Sequence, residues 1–459
     1  MLFKNVLFYV LFLSAVINLK AQNWVGYNTS RFTGVSAVDY QPADIVGTPY
    51  KVDILVTGIK GSMFNRNILF GADLDNGDEN MLGTMFQGQN QKFIATGVLY
   101  LPSVLYSINA RSAVAFSTSF NAFGFGQSRT PEALLAFQSG QPISTSASYS
   151  NEFVTGYVNT WSNFNFTYAY MLLNKDRHKL KLGTTIRISQ GSGSAYYSLG
   201  DISYDFSNQQ LNNLSGNVQM QYNQQLEDIS EGQQVPLFSK SILGGDFGAV
   251  YEYTNLATKD YQTPYLFKLS SSIRNVGKVI TYQTASGSYD YSINASSISA
   301  SSFTGISNLQ QLKDTLSKIA VTSEPNGATY KTKIPTSFMF MVDCQPLKNV
   351  FLNASYNYTY MKLGSNANQT YDLHSFNITS RYDKLHWSVI FPMTFTDYGS
   401  GFGLAGRWRY ITVGSANIFN LIFNGAPEKF AANGYVVIRI PILDSKYKKK
   451  QKEDDTVSE

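Results

Sequence analysis

Residues 164–188 read FNFTYAYMLLNKDRHKLKLGTTIRI. Phe164, Phe166, Tyr168 and Tyr170 fall on one parity and Asn165, Thr167 and Ala169 on the other, the period of an extended strand with two unlike faces. After the polar run Asn174–His178 the alternation resumes, with Leu180, Leu182, Thr184, Ile186 and Ile188 against Lys179, Lys181, Gly183, Thr185 and Arg187. This is a hairpin with one apolar, aromatic face and one polar, charged face. A soluble sandwich turns its polar face outward and seldom buries Tyr after Tyr. The pattern therefore favours a sheet rolled with its polar face inside.

Composition agrees. The chain has 459 residues, with 31 Tyr, 31 Phe and 35 Gly, and only 15% charged residues, a bias towards strands, aromatic girdles and turns. Past the amino terminus no run approaches ~20 apolar residues, which excludes a helical membrane protein but not a barrel, whose strands need about ten alternating residues. Met1–Ala21 reads as a secretory signal, with Lys4, an apolar run Val6–Ile17 and a cut before Gln22. The single cysteine, Cys344, can form no internal disulfide and lies far from any lipidation signal. The net charge of +5 owes much to Lys446, Lys448, Lys449, Lys450 and Lys452, and basic residues elsewhere are spread along strands. This excludes a nucleic-acid interface.

From Tyr50 onward the alternating segments are 50–60, 92–104, 108–123, 160–173, 179–190, 244–254, 264–282, 333–344, 349–362, 371–382, 384–396, 401–409, 410–420 and 433–442, fourteen in all. Short connections alternate with long ones at 61–91, 124–159, 191–243 and 283–332. That is the habit of outer-membrane barrels, short turns on the periplasmic side and long loops outside. The prediction is an all-β, 14-stranded antiparallel transmembrane β-barrel over 50–442. Before it stand a signal peptide (1–21) and an N-terminal plug segment (22–49), and after it a charged periplasmic tail (443–459). Gln190–Gly200 (Gly and Ser) and Asn208–Gln234 (Asn and Gln) read as solvated loop. Two helices are expected. One starts at Thr130-Pro131-Glu132. The other is an amphipathic stretch, Phe303–Ile319, lying over or in the barrel mouth.

Three short motifs sit in these segments: the plug run Gly34–Asp44, GGDFGAVY at 244–251 and SIRNVGK at 272–278. With them the chain resembles 14-stranded barrels of the FadL long-chain fatty-acid transporter superfamily, and most nearly its PorV-like members associated with type IX secretion and a related uncharacterised outer-membrane barrel family. Where those relatives carry Asn-Pro-Ala in the plug, this chain has Gln41-Pro42-Ala43. The resemblance implies a plug inside the barrel and, in the transporters, a hydrophobic solute leaving sideways through the wall.

Little in the chain reads as chemistry. His178, His374 and His386 have no metal-site spacing, and His374 and Ser375 are strand neighbours whose side chains point to opposite faces. Gly401–Gly406 spells GFGLAG, the dinucleotide fingerprint, but a strand follows it where a phosphate-binding helix is needed. No enzyme activity, cofactor or metal is therefore expected. The function expected is energy-independent passage or handling of a small hydrophobic molecule in the outer membrane of a Gram-negative cell, both termini periplasmic. The alternative is a non-catalytic PorV-like scaffold for secretion or surface attachment. Expected partners are outer-membrane lipids, a hydrophobic small molecule and a periplasmic or secreted protein. On the inward parity Lys51, Asp53, Arg111, Lys179, Lys181, Glu252, Lys268, Asp343, Arg407, Arg409 and Arg439 are expected to form a charged girdle near the base. It would grip a plug built on Gly34, Asp39, Gln41, Pro42, Ala43 and Asp44.

Overall fold

The computed structural model describes residues 26–66, 91–129, 147–207, 210–225, 241–254, 265–277, 279–286, 288–299, 309–360, 370, 373–396, 399–423 and 429–445. The proposed signal, most of the tail and the helix expected at Thr130 lie outside these residues. In chain order the strands are β1 (Tyr50–Arg66), β2 (Gln91–Ser107), β3 (Ser112–Arg129), β4 (Ala147–Lys175), β5 (His178–Ser207), β6 (Gln210–Tyr222), β7 (Ser241–Tyr253), β8 (Phe267–Val276), β9 (Val279–Gln283) and β10 (Tyr289–Ser299). Then come β11 (Ala320–Pro325), β12 (Thr329–Lys333), β13 (Ser337–Leu347), β14 (Val350–Thr359), β15 (Ser375–Asp383), β16 (Trp387–Thr396), β17 (Gly399–Phe402), β18 (Leu404–Trp408), β19 (Ile411–Ser415) and β20 (Lys429–Leu443). Helix α1 is Leu309–Ile319 and α2 is Ile418–Phe423.

Fourteen antiparallel strands close a barrel, each coinciding with one of the expected segments: β1–β5, β7, β8, β13–β16, β17 with β18 as one interrupted strand, β19 and β20. β20 pairs with β1 from Tyr50↔Leu443 to Arg66↔Lys429, so the sheet has no free edge in its wall. The wall is inside out relative to a soluble core. Phe166, Tyr168 and Tyr170 are exposed on the outer face, as are Tyr358 and Phe391, whereas Asn165 and Thr167 are buried inside. Inside, polar side chains bond across strands, Asn165 Nδ2 to Ser117 Oγ at 3.1 Å and Thr167 Oγ1 to Thr185 Oγ1 at 2.8 Å. These bonds satisfy groups that lipid could not. We call the end holding the short turns and β20's terminus the base, and the other end the distal rim. Two of the three GFGLAG glycines serve a close approach. A Cβ on Gly401 would strike Asn417 and one on Gly403 the Ser415–Ala416 backbone, where the chain leaves the wall after β19.

Three expectations for the distal side are corrected. Segment 264–282 is not one strand: Asn275 (φ 57°) and Gly277 (φ 79°) turn the chain inward between β8 and β9. The Gly/Ser stretch 190–200 belongs to β5, and much of the Asn/Gln stretch forms β6, which pairs with the distal half of β5. Neighbouring strands satisfy the backbone there, so weak local propensity did not decide. β10 pairs with β6 and β11, building an outer sheet beyond the wall. The expected amphipathic helix is described from Leu309 on, as α1. It packs on the outer sheet through Leu316, in a cluster with Leu211, Leu214, Val218, Tyr291 and Ile293.

Candidate functional site

The plug is three short 3-10 turns, Tyr27–Thr29, Gly34–Asp39 and Pro42–Ile45, lodged in the base of the barrel. Turns this short carry many unpaired carbonyls, and buried cations on the wall meet them. Arg439 donates to the carbonyls of Phe32 and Thr33 (both 2.6 Å) and to Asp53 Oδ2 (2.8 Å), which also accepts from Val35 N at 2.7 Å. Gly34 (φ 60°) has this ion pair where a Cβ would stand, so both its conformation and its space demand glycine. Lys268 Nζ meets Asp44 at 3.0 Å, and Arg274 donates to Asp39 O at 3.0 Å. Arg407 stacks 4.7 Å from the Phe32 ring centroid while its Nη1 donates to Leu385 O, tying the plug to the turn between β15 and β16. Burial holds the Tyr27 phenol above its ordinary pKa, opposed by Arg439 and reinforced by Asp53, so it remains a neutral donor.

Gln41 and its neighbours fit the wall by omission. A Cβ on Gly183 would strike the Pro42–Ala43 backbone, and one on Gly248 would strike the Gln41 amide. In that space Gln41 Nε2 donates to the carbonyls of Ala249 (3.2 Å) and Ser271 (2.9 Å), while its Oε1 accepts from Ala43 N (3.3 Å) and caps the last turn.

Of the expected girdle, the structure brings Asp53, Lys181, Glu252, Lys268, Asp343, Arg407 and Arg439 together as buried groups at the base. Lys181 pairs with Glu252 at 2.5 Å, and Lys179 stands half-buried opposite Glu252 in the β5–β7 register. Lys51, Arg111 and Arg409 lie outside the ring. Lys51 Nζ sits 4.6 Å from the ring of Tyr106, itself exposed on the outer face, because the β1–β20 register shifts between Tyr50 and Val52. Arg111 and Arg409 are exposed in turns, where strand parity has lapsed. Sequence reasoning left out Arg381, which donates to Asp343 (2.5 Å), Asp383 (2.8 Å) and plug Thr29 Oγ1 (2.7 Å). Its alternation with Asn377 and Thr379 was a usable signal. Arg187 with Asp246 (2.5 Å) was a second omission, although Arg187 stands on the polar parity of the opening hairpin.

Above the plug, a chamber of about 150 Å³ has Asp39 and Tyr40 as its floor and Ile334 and Pro335 as its roof. Over it β9 and β12 form a separate two-stranded sheet. Elsewhere, a hollow of about 920 Å³ opens in the wall across β18–β20 and β1–β3, rimmed by the exposed Ile59, Leu99, Val413 and Val436. Gly61 pairs with Gly97 on one side and Gly434 on the other, and a Cβ at any of the three would meet nothing nearer than 3.9 Å. Their missing side chains leave the hollow open. The chamber and the hollow share Lys60, Gly97, Val98 and Ala122, so they back onto the same patch of wall.

Among the described residues no three His, Cys, Asp or Glu side chains gather as a metal site. His374 stacks on outward Tyr358 (4.8 Å) while Ser375 is buried inside.

The model of a family of unknown function, DUF5723, matches residues 42–416, from the last plug turn to the point where the chain leaves the wall. The chain belongs to this family. No curated protein matches it. Among solved structures, this DUF5723 member is similar to the toluene transporter TbuX of Ralstonia pickettii, at 11% identity over 89% of this chain and 94% of that one, with a TM-score of 0.43. It is also similar to a deletion mutant of the monoaromatic hydrocarbon channel TodX (9%, 93% and 98%, 0.45). A third is a FadL homologue of Pseudomonas aeruginosa (12%, 88% and 92%, 0.39). At this degree of likeness, what those channels carry is a property of those channels.

Proposed function

We propose that this protein is an outer-membrane barrel that passes or hands over a small hydrophobic molecule without an energy source, its base and both termini in the periplasm. The observation that carries the reading is the apolar hollow on the outer face, backed by a lumen chamber across a patch of wall that its glycines leave thin. A solute dissolved in lipid meets that hollow from the side, and its size falls within the roughly 300–1,000 Å³ usual for ligand pockets. The test is uptake of an apolar fluorescent probe by cells carrying the wild type or Gly97→Phe, which fills the hollow from its floor. Reduced uptake at equal folded yield is expected; unchanged uptake rejects the route. Sidedness is checked with Arg409→Cys in a Cys344→Ala background. It should react with an impermeant thiol reagent only after the outer membrane is opened, and labelling on intact cells would reverse the topology.

A scaffold reading is favoured by a different observation: the plug fills the base, the β9–β12 sheet spans the lumen, and an outer sheet with α1 projects beyond the wall. Such a molecule offers more surface than passage. Native purification followed by mass spectrometry separates the readings, a stoichiometric protein supporting the scaffold and a bound lipid-soluble molecule supporting passage.

A further inference from the structure

The sheet β9–β12 belongs to neither the wall nor the outer sheet. β8 pairs with β13 in the wall, β9 with β12 across the lumen, and β10 with β11 outside, so one long hairpin is bent inward at its middle. The bend is made at Asn275 and Gly277 on one arm and at Ile334–Pro335–Thr336 on the other. Its inward segment is only five residues per strand, and two isolated strands of that length are marginal on their own. Among the described residues no ladder of backbone bonds joins β9 or β12 to the wall strands; the far end of β9 is tied to β6 by the Asn223–Thr284 bridge and by Ala285 N donating to Tyr222 O (2.9 Å), and Lys333 O at the end of β12 accepts from Thr370 N (3.0 Å).

Against the wall itself the segment is held by a set of tyrosines. Tyr282 OH donates to Asn159 Oδ1 at 2.6 Å, Tyr330 OH to Ser194 O at 2.8 Å, and Tyr157 OH on the wall to Thr332 Oγ1 at 3.1 Å. The Tyr282 and Tyr330 rings stack with centroids 5.4 Å apart. The seat is shaped for them: a Cβ on Gly191 would collide with the Tyr282 ring and Ile280. Ile334, in the same apolar cluster, is also part of the chamber roof.

We propose that β9–β12 is a gate that shuts the chamber from the distal side, with Tyr282 and Tyr330 as its latch and Gly191 as its seat. A segment held against the wall by a few side-chain bonds and one small cluster, with one bridge to β6 at its far end and one backbone bond to Thr370, can swing on its two bends while the fourteen wall strands keep their ladders. The proposal stands whichever reading of function holds.

The test places a reporter, Asn121→Cys, in the chamber of the purified full chain carrying Cys344→Ala, and follows its reaction with a small water-soluble maleimide. The closed latch should make labelling slow. Tyr282→Phe, which keeps the ring and deletes its hydroxyl bonds, should raise the rate about tenfold. Gly191→Leu, which displaces Tyr282 from its seat, should raise it further. Equal rates in all three proteins, each folded as judged by heat-dependent gel mobility, would show that the segment is no barrier. Should Gly191→Leu fail to fold, Tyr330→Phe replaces it, with the same two outcomes.

Discussion

Gln41 does two jobs that its length makes compatible, capping the Pro42–Ile45 turn through Oε1 and bonding two wall carbonyls through Nε2. Asn at this position could cap but falls one methylene short of the wall. Gln41→Asn should therefore loosen the plug by about 1 kcal/mol per lost hydrogen bond, read as faster hydrogen exchange at residues 34–45 with the barrel unchanged. Arg381 carries more. It is fully buried between Asp343 and Asp383 and reaches Thr29, so Arg381→Met should cost about 3–5 kcal/mol by leaving two carboxylates unpaired. A double variant that also carries Asp343→Asn should recover part of that loss in an unfolding titration; no recovery would mean the pair is not coupled. At this scale, alternation in the sequence pointed Asp53, Asp343 and Arg439 inward. It said nothing of which cation meets which carboxylate, because those partners come from different strands and plug turns, 38 residues apart for Asp343 and Arg381 and 386 for Asp53 and Arg439.

Strands were the most legible elements, since a wall between lipid and polar lumen imposes a strict period of two on every segment. The same contrast sets the cost of breaking it. Phe166→Arg, on the outer face, should destabilise the barrel by about 2–4 kcal/mol in a denaturant titration in lipid, whereas Thr167→Ser on the inner face should change it little. An equal effect of the two would contradict the lipid-facing assignment. Beyond the wall, periodicity was a poorer guide. The bend at Asn275–Gly277 lies inside an apparently continuous alternating run, and β6 lies inside an Asn- and Gln-rich stretch. In both places long-range pairing decided what local composition did not.

For the molecule as a whole, a closed ladder from β1 round to β20 predicts a band that runs faster unboiled than boiled on a denaturing gel, and flotation with outer membranes. A heat-insensitive, soluble protein would contradict this. We propose further that the basal charges control the plug, because Arg439 holds Phe32 and Thr33 while Arg407 stacks on Phe32. Reversing both, Arg407→Glu with Arg439→Glu, should release the plug and raise leakage of small solutes through reconstituted vesicles; unchanged permeability of a folded double variant rejects that role.

The sequence by itself determined the class of fold, the number of wall strands and the face each presents, because these follow from a repeating contrast between lipid and a polar interior that every strand must obey alone. The tertiary structure decided where the plug is seated, that Lys51, Arg111 and Arg409 stand outside the ring, that α1 rides on an outer sheet, and that β9 and β12 cross the lumen. Each of those depends on partners distant in the chain: a carboxylate to meet a buried guanidinium, a glycine to admit a ring, or a neighbouring strand to satisfy a backbone whose own residues leave it undecided.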